Sequence, residues 1–277
     1  MIFSFVSKLK NYLKKVLSFS RLGDGLMGRS IFIFYYFFLS FKRIVGLKRS
    51  FKNYKKLKLR FLGKSFPFYI KRQIDFSVLK EIFITKEYDI NLSSRPKIIV
   101  DIGSNIGASV IYFRIKYPEA KIFAFEPDPY NFEQLKMNTR AFDNIFLFQK
   151  VISSKGGQIK FYASKDYHLS SSIFLRSGVS QQEIEVESIT LDDLIKDEGC
   201  IDLLKFDVEG AEYEIFKNCS CLDKIKYLIG EVHLSLFRKS LEEFLSIFGT
   251  DFDYKILYQG KNGTRFIILF ENKNYVV

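Results

Sequence analysis

The chain has 277 residues, 47% of them hydrophobic and 27% charged, which excludes whole-chain disorder and leaves room for one large domain with an appendage or two small ones. The net charge of +12 raises nucleic acid, membrane or an anionic ligand as a partner, yet it is unevenly spread. Residues 1–97 carry 22 Lys and Arg against 5 Asp and Glu, whereas residues 98–277 carry 21 against 26. The basicity therefore belongs to the first third, and the remainder is mildly acidic. Cys200, Cys219 and Cys221 are too few, and wrongly spaced, for a disulfide framework or a zinc shell, so they read as reduced thiols of a cytoplasmic protein.

In chain order, residues 1–60 read as a basic helical extension with a glycine-containing break at 21–28. Ile2, Phe5, Val6, Leu9, Leu13, Val16 and Leu17 recur at helical spacing, with Lys8, Lys10, Lys14 and Lys15 between them. Such a helix can lie on an anionic membrane surface or pack on a core with its lysines solvated, and packing is the commoner outcome. The longest charge-free run of the N-terminal third, 30–41, has 12 residues where a spanning helix needs about 20, so no transmembrane segment is expected. A short hairpin is expected over 57–72 around Gly63 and Pro67, then a helix after Asp75 running towards Tyr88. Residues 61–96 thus lead into a core that begins at 97.

From 97 onward strands and helices alternate, the pattern of a parallel sheet with helices on both faces. Strands are expected at 97–102, 121–125, 145–151, 201–207 and 227–232, and helices start near Ile106, Pro129, Thr190 and Gly210. Two final strands, 254–258 and 264–270, flank a glycine-containing loop and read as an antiparallel pair. Residues 158–187 form a long insertion with serines at 170–172, a candidate binding loop.

The strongest motif is IIVDIGSNIGAS, residues 98–109. A buried strand ends in Asp101, and Gly103 and Gly107 frame a turn that opens a helix, where the missing Cβ atoms and free N–H groups admit a ligand. The following strand ends in Glu126, 19 residues past Gly107, where a carboxylate can accept hydrogen bonds from both hydroxyls of a ribose. Together these pieces favour a nucleoside cofactor. The glycine spacing disfavours a dinucleotide enzyme.

With DIGSNIG, FEPDPYNFEQLKMN, TLDDL, LLKFDVEGAE and EVH in place, residues 75–270 resemble the FkbM family of S-adenosylmethionine-dependent methyltransferases. The resemblance implies an α/β class I methyltransferase (Rossmann-like) fold over 61–277: a seven-stranded, mostly parallel sheet with an antiparallel last strand. It implies S-adenosylmethionine as cofactor and methyl transfer to a hydroxyl oxygen of a sugar, a glycolipid or a related natural product. It places Asp101, Gly103, Asn105 and Gly107 on the methionine moiety, Glu126 on the ribose, and Asn138 at the family's asparagine on the next helix. Where the family often has a small Ala before Ser, this chain reads QKVIS, and residues 1–60 lie outside the resemblance.

Methyl transfer to an alcohol benefits from a base near the attacking oxygen. Asp207 and Glu209 close one strand, and Glu231 and His233 close the next, at the sheet edge where open α/β folds place ligands. His233 or Asp207 is the candidate base, with Glu209 orienting acceptor hydroxyls and Lys205 keeping a neighbouring carboxylate ionised. His168, Ser171 and Glu231 are candidate acceptor contacts. The acidic cluster can hold a divalent ion, but no metal is called for. The alternative is a membrane-surface or nucleic-acid-binding protein carrying an inactive methyltransferase-like domain. Nucleic acid is disfavoured because the aromatics of the basic third form one apolar run rather than spaced stacking platforms.

Overall fold

A computed structural model describes residues 16–17, 19–44, 47, 50–164, 171–174 and 180–275. The chain forms two compact units: residues 1–87 with 137–141, and residues 88–136 with 142–277. The helix expected over residues 2–17 lies, apart from its last two positions, outside the described residues.

The first unit contains helix α1 (Gly25–Ile44), strands β1 (Ser50–Phe61) and β2 (Lys64–Arg72) and helix α2 (Gln73–Leu79), which continues as a π-helical segment, Lys80–Thr85. The helical expectation for residues 50–60 is corrected. In this stretch Leu57, Leu59 and Phe61 are buried while Lys58 and Arg60 point to solvent, the period-two alternation of a strand. β1 and β2 pair antiparallel, with Phe61 opposite Lys64, and Leu62 and Gly63 between them both have positive φ (46° and 81°), the geometry that matches strand twist in a two-residue turn. A boundary at 60/61 therefore falls inside a hairpin, and the first unit runs on to Glu87. Asp75 sits in the first turn of α2 rather than before it, and its carboxylate accepts N–H bonds from Lys71 and Arg72. Among the described residues, no helix is long and apolar enough to cross a membrane.

The second unit carries β3 (Ile98–Ile102), α3 (Ala108–Lys116), β4 (Lys121–Phe125), α4 (Pro129–Thr139, whose end belongs to the first unit), β5 (Ile145–Phe148), β6 (Val151–Ile152), β7 (Gly157–Ser164), β8 (Gln181–Ile189), α5 (Leu191–Glu198), β9 (Ile201–Phe206), α6 (Glu212–Lys217), β10 (Ile225–His233), α7 (Leu234–Phe237), α8 (Leu241–Leu245), β11 (Phe252–Gln259) and β12 (Arg265–Asn272). Seven strands form one sheet in the order β11-β12-β10-β9-β3-β4-β5, with β12 antiparallel to both neighbours. This is the expected seven-stranded, mostly parallel architecture. β9 is buried at every residue, as a central parallel strand covered on both faces should be. Thr190 caps α5 in a reciprocal box with Asp193, as the sequence spacing predicts.

Two readings change. The strand expected over 145–151 splits: β5 stays in the main sheet, while β6 pairs with β8 in a separate three-stranded sheet. Of the insertion expected as a loop over 158–187, residues 158–164 and 181–187 belong to strands β7 and β8, which pair antiparallel and whose apolar residues alternate with polar ones instead of forming a run.

Candidate active site

The turn after β3 is shaped by its backbone. Gly103 (φ 78°) approaches the end of β9 so closely that a Cβ there would lie 2.0 Å from the Asp207 carbonyl oxygen. Asn105 and Gly107 also take positive φ, 49° and 87°, and Gly107 opens α3. Glycine, and to a lesser degree asparagine, reach that region with little steric cost. Beneath the turn Asp101 is fully buried. It accepts a hydrogen bond from the Ser109 hydroxyl at 2.5 Å and pairs with Lys205 Nζ at 3.0 Å. Lys205 also donates to the Gly103 carbonyl oxygen at 2.7 Å and lies over the Tyr88 ring. The carboxylate that Lys205 holds most directly is thus Asp101, and its ammonium pins the ligand turn from below.

Glu126, buried at the end of β4, accepts N–H bonds from Asn105 at 2.8 Å and Asp128 at 3.0 Å. These two bonds aim its carboxyl at the turn. Burial first, and then the neighbouring Asp128 charge, push it up to about 8. O–H donors from a vicinal diol would favour its ionised form, so the residues present fit a ribose-bearing cofactor. Asn138 is fully buried, and its side-chain oxygen accepts the Tyr69 N–H of β2 at 2.6 Å, a bond within the first unit.

A second group gathers where β9 and β10 end. Glu209 (φ 54°) and Gly210 (φ 105°) form a left-handed pair at the exit of β9, a strained geometry for a glutamate. His233 lies between three carboxylates: Nδ1 donates to Glu212 Oε1 at 2.9 Å, Nε2 contacts Glu231 Oε1 at 2.7 Å, and Glu209 Oε2 is 3.7 Å away. Burial pulls His233 down, but the bonds to Glu212 and Glu231 and the surrounding negative charge outweigh it and hold the imidazole well above 6.5. Glu231 also binds Arg265 through two guanidinium nitrogens. Burial raises Glu231, but its two cationic partners win and hold it at about 2.

Asp207 differs from these. Its Oδ1 is buried with no hydrogen-bond partner among the described residues. Burial, then the Glu231 charge, push Asp207 up to about 8 against the pull of Lys205. Asp207, Glu209 and His233 present donor atoms within 4.8 Å of one another, a spacing that a divalent ion can use.

The insertion reaches both carboxylate groups. Ser171 donates to Asp128 Oδ2 at 2.8 Å, and Ser172 donates to the Glu209 carbonyl oxygen at 3.0 Å. His168 lies outside the described residues. The structure thus brings Asp101, Gly103, Asn105, Gly107, Glu126 and Lys205 to one turn, and Asp207, Glu209, Glu231 and His233 to the adjoining edge. Sequence reasoning missed Glu212 and Arg265. Glu212 stands inside the quoted run LLKFDVEGAE and is fully buried at the start of its helix, so its place in that motif is the available signal. Arg265 faces His233 only through the antiparallel register of β10 and β12.

The pattern of the family described as Methyltransferase FkbM domain matches residues 101–256. Among curated proteins, the chain is similar to methyltransferase sdnD from Sordaria araneosa, 34% identical over 174 residues (50% of this chain, 67% of that protein). It is also 34% identical over 143 residues to 2-O-methyltransferase NoeI from Sinorhizobium fredii (46% and 59%). Hexuronic acid methyltransferase AglP from Haloferax volcanii is 29% identical over 158 residues (54% and 61%). The matches span between 59% and 67% of these relatives' own lengths. With more than half of its length matched, from the Asp101 turn into β11, this chain belongs to the FkbM methyltransferase domain family.

Proposed function

We propose that the chain is an S-adenosylmethionine-dependent O-methyltransferase acting on a hydroxyl of a carbohydrate-containing acceptor. Family membership supports methyl transfer, and relatives named as a 2-O-methyltransferase and a hexuronic acid methyltransferase support oxygen and sugar as targets. Glu126 holds the ribose hydroxyls, and the Asp101–Gly107 turn cradles the methionine moiety. When bound, S-adenosylmethionine supplies a methyl group activated on a sulfonium.

The observation that carries the assignment is Asp207: a carboxylate with a buried, unpartnered Oδ1 at the ligand edge, tuned to about 8. A base poised near working pH is what deprotonation of a weakly acidic alcohol needs. Asp207 Oδ1 accepts the acceptor's hydroxyl proton, and Glu209 hydrogen-bonds the neighbouring hydroxyl. His233, held as an imidazolium by Glu212 and Glu231, keeps Glu231 ionised and in place. One observation favours His233 as the base instead: Glu212 grips its Nδ1 as an orienting carboxylate grips a catalytic histidine. Asp207→Asn and His233→Asn separate the two. The residue whose loss costs more turnover, with cofactor binding retained, is the base.

Peripheral contact of residues 1–60 with a membrane that carries the acceptor belongs to the same proposal. Titration calorimetry with S-adenosylhomocysteine tests the cofactor. Binding to the wild-type chain and its loss in Glu126→Ala support the reading, whereas no binding by folded protein sinks it. Screening with labelled cofactor against polysaccharide, lipid and nucleic-acid fractions then identifies the acceptor class.

A further inference from the structure

α1 has two apolar faces, one buried and one largely exposed, although Phe38 of the second also stacks on Phe51 of β1 at 5.8 Å. Phe32 and Leu39 are buried, with Phe32 packed edge-on against Phe76 at 4.9 Å. On the other face Met27, Ile31, Phe34, Phe38 and Phe41 follow one another at steps of four and three residues, so they line one side of the helix over about 21 Å. All five are exposed, Met27 to 78%, Phe34 to 62% and Phe41 to 61%. Isolated exposed apolar residues are ordinary, but a continuous stripe of large ones marks an interaction surface.

The charges around the stripe say what covers it. α1 contains no Asp or Glu, Arg29 is exposed near its start, and Lys42 near its end lies 5.9 Å from the Phe38 ring centroid. The unit that carries α1 has 21 Lys and Arg against 4 Asp and Glu. Two copies meeting through this face would bring two strongly cationic units together. Nucleic acid would find no hydrogen-bond donors along the stripe for its phosphates. A bilayer with anionic headgroups satisfies both features at once, since the aromatic stripe enters the acyl boundary and the flanking cations stay at headgroup level. The charge-free run is too short to span, so the helix lies along the surface.

We infer that the exposed face of α1, Met27 to Phe41, is a docking surface for anionic membranes. The inference deepens the peripheral-contact reading above and moves it from the expected helix over residues 2–17 to α1. It does not depend on which acceptor is methylated.

The chain lacks Trp, so Phe34→Trp introduces a single fluorescent reporter at the centre of the stripe. The test uses this full-length variant with phosphatidylcholine vesicles containing or lacking phosphatidylglycerol. A blue shift and co-sedimentation with the anionic vesicles are expected, with the shift persisting in part at high salt. The double variant Met27→Ser, Phe41→Ser, otherwise wild type, should bind these vesicles at least about tenfold more weakly. Emission that stays unshifted on vesicles overturns the inference by showing adsorption through charge alone. Emission already blue-shifted without vesicles overturns it too. If that shift grows with protein concentration, a second copy covers the stripe; if it does not, another segment of this chain does. Should the Trp variant not fold, equal sedimentation of the wild type and the double variant overturns it as well. S-adenosylhomocysteine binding, measured on the same samples, should be unchanged. Its loss would count against the methyltransferase reading and leave the membrane result standing.

Discussion

Phenylalanine fills a core in both units, but on α1 of the first it also lines a solvent-facing stripe. In the sheet unit Phe216, Phe244, Phe248, Phe252 and Phe270 are buried together, with Phe248 stacked on Phe270 at a centroid distance of 4.0 Å and on edge to Phe252. On α1 Phe34, Phe37, Phe38 and Phe41 face solvent. The first unit also buries Phe32, Phe66, Phe68, Phe76 and Phe83, so the contrast lies between the two faces of α1 and not in the residue type. The difference follows from geometry. A parallel sheet covered by helices has two faces to fill, whereas α1 rests on the hairpin and α2 mainly by one face. Charge divides the same way. The acidic edge of the sheet unit concentrates carboxylates around one histidine, while the first unit spreads lysines around an apolar stripe.

Substitutions on the two sides of this contrast should differ accordingly. Phe248→Ala removes a stacked ring from a filled core and should cost about 3–5 kcal/mol, read as a lowered urea midpoint at unchanged slope. Asp207→Asn should lower kcat by about 10²–10⁴-fold while S-adenosylhomocysteine binding survives. In the wild type, kcat/KM should climb with pH through about 8 as Asp207 ionises, and a profile already flat from pH 6 upward would remove it as the base.

The same carboxyl has a stability signature. An acid whose folded pKa lies above its unfolded one costs nothing below both values, and its cost grows as pH rises from the unfolded value to the folded one. Asp207→Asn should therefore melt higher than wild type at pH 8 and not at pH 4, a gain in stability that accompanies the loss of turnover. Glu212→Gln removes a charge from beside His233 and should move its titration back towards the ordinary range. The chain has two histidines, so the shift is legible by NMR. The smallest effect is expected on α1. Phe34→Ala should change stability by no more than about 0.5 kcal/mol, because the ring is mostly in solvent; a core-sized loss would mean that the stripe is covered.

Much of the sheet is legible in the sequence because its central strands are continuous apolar runs ending in a charged or small residue. IIVDIG and LLKFDVEG mark both the strand and the ligand edge beyond it. The Asp101 turn is legible for the same reason: a left-handed backbone demands glycine or asparagine, and Gly103, Asn105 and Gly107 supply them. β1 was harder. Its lysines mask a period-two pattern that becomes visible only once Leu57, Leu59 and Phe61 share a face. The β7–β8 pair offers a weaker signal still, since its apolar period of two is short: Ile159, Phe161 and Ala163 in one strand, Ile184 and Val186 in the other.

The sequence by itself determined the α/β class, the antiparallel last strand implied by the family and the residues at the two strand ends, because each is written in local periodicity or in a short motif. Tertiary structure decided what those residues do to one another. Lys205 grips Asp101, Arg265 reaches Glu231 across the β10–β12 pair, and Glu212 turns back onto His233. These contacts join residues from separate elements at distances of a few ångströms, and the shifts that single out Asp207 arise from burial and from charges brought together only by the fold. The exposed face of α1 is the counterpart: an aromatic run whose outward residues stay exposed because, among the described residues, the helix rests on its unit mainly through Phe32 and Leu39.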